Sequence, residues 1–334
     1  MSALRYRLTI VVVVCLLVPA AMAWSQQPRG KKKPQSAPVK IPDTVVVERD
    51  VEYGRAGDVS LKLDIVRPKE PSENPRPVIA FIHGGGWSGG NKAVFVGTLV
   101  PFADSGNYFC VSIEYRLSGV ATWPAQIHDC KAAIRWLKVN AKKYNIDPEK
   151  IGVWGSSAGG HLVSMLGVSG DVPSLEGDSG SPGVSSRVAC VVDYCGPSDF
   201  PAIAGVKETY KNAYQAVSKL LGGPIEEKGE AARNASPMTY VSKAAVAFLI
   251  VHGTHDTTVP PPQADVLYAA LKKAGVDATF IKILDGTHGV APSGGPQLLE
   301  RVQAFFDKHL RGKDIAVSDE PIQSQPMSQP KPKS

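Results

Sequence analysis

The sequence has few cysteines, and this limits both its metal chemistry and its cross-links. Five cysteines occur in 334 residues, and no pair of them has the spacing typical of a zinc site. One lies in the first apolar run, which leaves Cys110, Cys130, Cys190 and Cys195 in the rest of the chain. An even number is compatible with one disulfide, whereas cysteines in apparent strands are equally compatible with buried thiols. We therefore predict no metal site and leave the pairing of these four cysteines open.

An excess of basic charge is absent from the part of the chain that we expect to fold. The formal net charge is +6, but residues 43–311 carry 27 Lys and Arg against 28 Asp and Glu. The excess lies near the two ends, including Arg29 and the three lysines at 31–33. A protein that binds nucleic acid concentrates basic side chains on its folded domain. We therefore predict no nucleic-acid partner, and we interpret the basic tract as a solvated linker.

Long apolar runs are also absent, except near the start of the sequence. Two arginines precede residues 8–17, an apolar run shorter than the roughly 20 residues that cross a bilayer. Ala21-Met22-Ala23 follows, with small residues at the spacing that a signal peptidase recognises. We predict that residues 1–23 form a signal peptide and that the protein is secreted or periplasmic. The alternative is an uncleaved membrane anchor.

The composition changes at both ends of a long central segment. Residues 24–42 and 312–334 are rich in Pro, Gln, Ser and Lys, and we predict a disordered leader and a disordered tail. The whole chain is 43% hydrophobic and 20% charged, as is usual for a chain with a soluble core. No internal repeat is visible. We therefore predict one domain over residues 43–311.

Apolar runs alternate with helical patterns along this domain. Residues 44–52 and 60–66 alternate apolar and polar side chains, which predicts an antiparallel hairpin. Residues 77–82 are almost continuously apolar, as in a strand buried on both faces. Residues 124–144 carry an apolar stripe at helical spacing. The alternation predicts an α/β fold with a largely parallel sheet covered by helices on both faces. Residues 198–243 are predicted to form a helical insertion above the sheet.

A strand-like run, a turn and a helical run meet at Gly155-Ser156-Ser157-Ala158-Gly159. A G-x-S-x-G pattern between a strand and a helix is typical of a nucleophile elbow. Glycines on both sides leave room around a serine that is held in strained backbone. The helix that follows directs its N-terminus, which favours negative charge, toward this serine. We therefore predict that Ser157 is a catalytic nucleophile.

A serine hydroxyl needs a base within hydrogen-bond distance, and seven histidines are available. His288 lies in a glycine-containing loop after a predicted strand, at the sheet edge where the chemistry of such folds collects. We predict His288 as the base, with His255 as the closest alternative. Asp256, in the loop after another buried strand, is predicted to orient the base, in the order serine, aspartate, histidine. Asp285 and Asp199 are the alternative carboxylates.

A glycine run follows the predicted strand that ends at Ile82. It reads His83-Gly84-Gly85-Gly86-Trp87 and places bare backbone N–H groups in a loop. Such groups stabilise the negative oxygen that develops when a serine attacks a carbonyl. We predict an oxyanion hole formed by Gly85, Gly86 and Ala158. Trp87 is predicted either to line the acyl pocket or to pack the loop.

These residues resemble the alpha/beta-hydrolases, in particular the bacterial esterase branch that carries His-Gly-Gly-Gly-Trp. That branch includes carboxylesterases and acetyl-xylan and feruloyl esterases, and it is related to the hormone-sensitive-lipase-like esterases. The resemblance covers about residues 44–310 and rests on segments 83–87, 114–117, 123–137, 152–160, 196–199, 235–237 and 252–260, and on His288. It implies an eight-stranded sheet with an antiparallel second strand, the triad Ser157, Asp256 and His288, and the same oxyanion hole. Two strands stand where the hormone-sensitive-lipase-like enzymes have a helical cap, so residues 198–243 are expected to form the roof.

The sequence thus predicts a secreted serine esterase that hydrolyses carboxylic esters of small acyl groups through an acyl-enzyme. No metal and no organic cofactor is expected. The resemblance implies acetyl or feruloyl esters of plant polysaccharide as substrates. One alternative is a serine peptidase of the prolyl-oligopeptidase type, although such enzymes usually add a large gating domain. The other is a binding module of the same fold, which would normally lack a triad residue.

Overall fold

The computed structural model of the protein describes residues 40–170 and 172–324. The predicted signal peptide, residues 1–23, and most of the predicted leader lie outside these residues. The last ten residues also lie outside them. Among the described residues, we find no helix with the length and apolar character needed to span a bilayer.

One mixed sheet organises the described residues. Its nine strands are β1 (Val45–Ala56), β2 (Val59–Pro68), β3 (Arg76–Ile82), β4 (Phe109–Ile113), β5 (Ile146–Ser156), β6 (Cys190–Tyr194), β7 (Ala247–Gly253), β8 (Ala278–Leu284) and β9 (Ile322–Gln323). They are arranged in the order β1-β2-β4-β3-β5-β6-β7-β8-β9. β2 is antiparallel to both of its neighbours, and every other pair of strands in the sheet is parallel. The predicted α/β class and the antiparallel second strand are confirmed.

The expected number of eight strands was wrong, because the chain returns to the sheet after its last helix. Ile322 is buried and pairs with Ile283 of β8, which makes Ile322–Gln323 a ninth strand. The predicted disordered tail therefore does not begin at Gly312, since Val317 packs against the core and Ile322 and Gln323 pair with β8. A single buried isoleucine among Pro, Gln and Ser gives no period-two pattern for sequence reasoning to detect. At the other end, Ile41 packs against the core, within the predicted leader.

Helices cover both faces of the sheet. In the described part of the chain they are α1 (Val96–Asp104), α2 (Ala125–Val139), α3 (Ala141–Tyr144), α4 (Ala158–Val168), α5 (Phe200–Ala204), α6 (Lys211–Leu221), α7 (Gly229–Asn234), α8 (Pro262–Lys273) and α9 (Val290–Arg311, interrupted at Gly295). Apolar side chains of α2, α4 and α8 form one core with one face of the sheet. Those of α1 and α9 form a second core on the opposite face. Burial on both faces explains why β3, β4 and β6 consist mainly of apolar residues.

The helical insertion after the sixth strand is present as predicted. It contains α5, α6 and α7, which lie between β6 and β7. Helix α6 buries Ala213, Val217 and Leu220, which recur at helical spacing along one side of the helix. These side chains belong to the same apolar core as those of α2, α4 and α8. The insertion is therefore attached to the main core through side chains that sequence periodicity already indicates.

Candidate active site

The elbow carries Ser157 between β5 and α4 in a strained backbone conformation. Its φ is 58° and its ψ is −120°, a region that residues other than glycine seldom adopt. The Ser157 N–H donates to the carbonyl of Tyr194 over 2.7 Å, which fixes the turn against β6. A Cβ on Gly159 would lie 2.0 Å from the carbonyl oxygen of Ile82. Only glycine therefore allows α4 to start this close to the end of β3, where the glycine run begins.

Three predicted residues meet at the carboxyl ends of the parallel strands. His288 Nε2 lies 2.9 Å from Ser157 Oγ, and His288 Nδ1 lies 2.7 Å from Asp256 Oδ2. The other carboxylate oxygen, Oδ1, accepts the backbone N–H groups of Thr258 and Val259 over 2.7 and 2.9 Å. The hydroxyl, the imidazole and the carboxylate thus form one continuous hydrogen-bonded chain. This is the geometry that proton transfer from a serine requires.

Electrostatics favours an ionised carboxylate beside a basic imidazole. Burial acts to raise the pKa of Asp256, but hydrogen bonds from His252 and His288 outweigh burial and hold that pKa well below its usual value. Burial acts to lower the pKa of His288, but its contacts with Asp256 and Cys195 outweigh burial and raise that pKa. An ionised Asp256 accepts the Nδ1–H of His288. The Nε2 atom is then the one that faces the serine hydroxyl as a proton acceptor.

The alternative base and carboxylates make other contacts. His255 is two-thirds exposed, and its Nδ1 lies 3.5 Å from Asp285. Asp285 also accepts a hydrogen bond from Gln323 over 2.9 Å. Asp199 caps helix α5 by accepting the backbone N–H of Ala202. The structure therefore brings Asp256 and His288 to Ser157 and uses the three alternatives elsewhere.

The glycine run approaches Ser157 in an unusual backbone conformation. Gly85, Gly86 and Trp87 have φ values of 116°, 57° and 54°, and a Cβ on Gly85 would lie 2.3 Å from a backbone oxygen. At the start of the run, the ring of His83 stacks on that of Tyr115 with centroids 4.4 Å apart. Positive φ favours glycine at Gly85 and Gly86, whereas Trp87 adopts the same region with a side chain. A Cβ on Gly84 would lie 3.2 Å from the Cβ of Ser157, so the run passes close to the serine. The run is therefore built in a form that side chains on its glycines would prevent.

A cavity of about 230 Å³ lies beside the serine. Its walls are Gly85, Gly86, Trp87, Ser157, Ala158, Pro197, Ile203, Asn212, Ala213, Ala216, Val217, Thr258 and Val259. The three residues predicted for the oxyanion hole thus border the same space as the nucleophile. Helices α5 and α6 supply most of the opposite, apolar wall. The cavity is smaller than the 300–1,000 Å³ of typical drug-sized pockets.

Trp87 lies in the wall of this cavity and also makes a buried contact behind it. It lines the cavity, and its buried indole Nε1–H donates to Nδ1 of His161 over 3.2 Å. His161, on α4, lies 2.7 Å from the carbonyl oxygen of Ala235 through Nε2. Because a carbonyl only accepts, Nε2 carries the proton and Nδ1 is free to accept from Trp87. His161 therefore joins the glycine run, the elbow helix and the insertion through one neutral ring.

The buried His161 should make the fold sensitive to acid. Burial lowers its pKa from 6.5 to about 4, against a smaller opposing effect of the Ala235 hydrogen bond. Between these values the unfolded chain binds more protons, so the free energy of unfolding falls as pH falls from 6.5 to 4. We expect a loss of about 3 kcal/mol from this residue.

Urea unfolding of the wild type and of His161→Gln at pH 7 and pH 4.5 measures this contribution. The wild type should lose more stability on acidification than the variant, because glutamine does not titrate. An equal loss in both proteins would contradict the assignment.

The four cysteines of the described chain are all free and buried. Burial raises the pKa of the Cys110, Cys130 and Cys190 thiols, which keeps them protonated. The alternative of buried thiols thus holds for these residues. Cys195 Sγ lies 3.5 Å from the carbonyl oxygen of His288. The Cys195 sulfur, a carboxylate oxygen of Asp256 and a ring nitrogen of His288 lie within 4.8 Å of one another. Asp256 and His288 are already hydrogen-bonded to each other. The absence of a metal stays a prediction.

Sequence reasoning missed two histidines that support the site. His161 and His252 carry no motif of their own, so the sequence patterns assign neither of them a role. Their roles depend on which atoms they face across the fold. The only signal in the sequence is position, since His161 follows the elbow glycines and His252 precedes Asp256 by four residues.

Comparison with known proteins shows to which family this chain belongs. The model of the BD-FAE family matches residues 63–271, more than half of the chain. The chain is 32% identical to Esterase LipC of Mycobacterium tuberculosis over 219 residues, 66% of this chain and 53% of that protein. The chain spans about half the length of the curated relatives that it matches.

Two solved structures share the fold at useful sequence identity. A truncated carbohydrate esterase from gut microbiota has a TM-score of 0.71 at 32% identity, over 80% of this chain and 98% of that one. Esterase 2 of Thermogutta terrifontis, phosphorylated by paraoxon, has a TM-score of 0.65 at 25% identity, over 82% of this chain and 96% of that one. The predicted resemblance to alpha/beta-hydrolase esterases is confirmed, and the chain belongs to the BD-FAE family.

Proposed function

We propose that the protein is a serine esterase that hydrolyses carboxylic esters of small acyl groups through an acyl-enzyme. The observation that carries this proposal is the contact of His288 with both Ser157, at 2.9 Å, and Asp256, at 2.7 Å. The strained elbow and the adjacent glycine run support it. The esterase names of the similar proteins support the same reaction class.

The reaction proceeds in two steps that use the same groups. Ser157 Oγ attacks the ester carbonyl carbon while His288 Nε2 takes the hydroxyl proton. The N–H groups of Gly85, Gly86 and Ala158 stabilise the negative oxygen, each by about 3 to 4 kcal/mol in comparable sites. His288 then protonates the leaving alcohol, and an acyl-serine remains. Water, activated by the same imidazole, attacks this acyl group and releases the acid.

The cavity and the neighbours together indicate the substrate class. A small apolar cavity beside the serine favours a short acyl chain. One structural neighbour is described as a carbohydrate esterase, so acetyl or feruloyl groups on plant polysaccharide are the proposed esters. Export fits a polymeric substrate and rests on the signal-like residues 1–23. A mature N-terminus at Trp24 would support export, and one at Met1 would count against it.

A substrate panel tests the proposed function. It contains p-nitrophenyl acetate, butyrate and octanoate, acetylated xylan and methyl ferulate. We expect acetate and butyrate esters to be hydrolysed faster than octanoate, and acetate to be released from xylan. A folded protein that hydrolyses none of these esters would rule the proposal out. Cleavage of a dipeptidyl amide without ester cleavage would favour the peptidase. A fluorophosphonate that does not react with Ser157 would favour a binding module.

Helix α6 should set the length of the acyl chain. Ala216 lines the cavity, and its Cβ lies 3.4 Å from the position of a Cβ built on Gly86. A larger side chain there occupies the space that a longer acyl group needs. In Ala216→Leu we expect the ratio of kcat/KM for butyrate to that for acetate to fall about tenfold, since one methylene changes such preferences by 1–3 kcal/mol.

An exposed alanine of the same insertion supplies the control. Ala202→Leu adds an equal volume on α5, away from the cavity walls, and should leave the ratio unchanged. An unchanged ratio in Ala216→Leu would show that the acyl group binds elsewhere.

A further inference from the structure

A second histidine contacts the carboxylate that orients His288. His252 is the penultimate residue of β7 and is only 2% exposed. Its Nε2 lies 3.1 Å from Oδ2 of Asp256 and 3.2 Å from the carbonyl oxygen of Val259. Oδ2 is the same oxygen that binds Nδ1 of His288 at 2.7 Å. Two imidazole rings therefore share one oxygen of the predicted triad.

The surroundings of His252 determine which of its nitrogens carries the proton. An ionised carboxylate and a carbonyl both accept hydrogen bonds only, so Nε2 must be the donor. The other nitrogen, Nδ1, is buried and has no hydrogen-bond partner among the described residues. A proton on Nδ1 would be a buried donor without an acceptor, which is unfavourable. The neutral ring with its proton on Nε2 is therefore the form that fits.

Asp256 consequently accepts four N–H groups. Backbone groups of Thr258 and Val259 bind Oδ1, and the two imidazoles bind Oδ2. Donors on both oxygens fix the plane of the carboxylate and hence the direction of its bond to His288. A donor that shares Oδ2 also reduces the negative charge available to His288, because hydrogen bonds stabilise the charged form of the carboxylate.

We propose that His252 is a positioning residue for the ester hydrolysis proposed above, holding Asp256 through Oδ2 and moderating how strongly this oxygen supports His288. The inference rests on the proposed function. Besides Asp256 and His288, the titratable groups that face this pair of rings are Asp193 on β6 and Cys195 just after it. Asp193 is committed to Ser164 and to the N–H of Gly196, so it offers no substitute for the His252 donor.

Two substitutions with side chains of similar length distinguish the loss of the hydrogen-bond donor of His252 from a change in packing. His252→Gln keeps an N–H at about the same distance from the backbone, and His252→Met removes it. In the methionine variant Oδ2 binds His288 alone, so the acid limb of the kcat/KM profile for p-nitrophenyl acetate should move upward by about half a pH unit or more. Its kcat should also fall about tenfold with little change in KM, because Asp256 is less well oriented.

The glutamine variant should keep the acid limb of the kcat/KM profile at its wild-type position and retain most of kcat. His255→Met, at an exposed histidine that touches Asp285 instead, is the matched control and should behave as the wild type. Wild-type profiles in all variants would overturn the proposal. The same altered profile in the glutamine and methionine variants would also overturn it, because packing alone would then explain the effect.

A measurement on the wild type covers the case in which His252→Met does not fold. Nitrogen NMR of the protein labelled with ¹⁵N-histidine reports the tautomer of each ring. We expect His252 to carry its proton on Nε2, and a proton on Nδ1 would overturn the proposal whatever the variants do. A wild type that shows the expected tautomer but hydrolyses no ester would instead refute the proposed function, so the two failures are distinguishable.

Discussion

Alanine in place of Ser157 should lower kcat/KM for p-nitrophenyl acetate by about 10⁴-fold or more, as removal of a nucleophile does in comparable triads. The hydroxyl is the only group removed, and its Oγ lies 2.9 Å from His288 Nε2. Without it the proposed acyl-enzyme cannot form, and only the proposed oxyanion donors and substrate binding would remain to assist water. Stopped assays with purified protein at pH 8 measure the change.

The neighbouring serine provides the control for this prediction. Ser156 ends β5, where it pairs with Tyr194, and its hydroxyl takes no part in the hydrogen-bonded chain that we describe. Ser156→Ala should keep activity within about threefold of the wild type. Activity that survives in Ser157→Ala and disappears in Ser156→Ala would reassign the nucleophile within the elbow.

Asparagine in place of Asp256 should lower kcat by about 10⁴-fold, as the equivalent change does in another serine hydrolase triad. The N–H groups of Thr258 and Val259 will hold the amide oxygen at the position of Oδ1. The amide NH₂ then faces His288 at the position of Oδ2. It donates to Nδ1, so the ring must carry its proton on Nε2, where it cannot accept the proton of Ser157.

This substitution is nearly isosteric, so folding and activity separate cleanly. Thermal unfolding should show a folded protein, and burst kinetics should show loss of acylation. Asp285→Asn changes the alternative carboxylate, which contacts His255 and Gln323, and should leave kcat near the wild-type value. A fully active Asp256→Asn protein, or an inactive Asp285→Asn protein, would show that another group orients His288.

Most of the candidate site could be predicted from local sequence patterns. The elbow around Ser157 and the glycine run need glycine where the backbone is strained or where two backbone segments lie close together. These glycines occur at fixed spacing, so the sequence shows them. The sequence predicts Asp256 and His288 because each follows a predicted strand, and parallel strands bring their carboxyl ends to one edge. The structure brings these residues together at hydrogen-bond distance.

Contacts between elements that are distant in the sequence could not be predicted from local patterns. The bond from Trp87 to His161 joins a loop to a helix 74 residues further on, and no periodicity encodes it. The contact of His252 with Asp256 depends on how the loop after β7 folds back over the strand end. The short strand at Ile322 is likewise defined by its partner in β8, because two residues carry no pattern of their own.

Covalent labelling tests most directly whether Ser157 is a nucleophile activated by His288. The protein is incubated with a fluorophosphonate, digested and analysed by mass spectrometry. A structural neighbour described as phosphorylated by paraoxon shows that a related fold accepts such a group. We predict one adduct per chain, on Ser157, formed far more slowly in Asp256→Asn. A folded protein that gains no adduct, or gains it on another residue, would contradict the account.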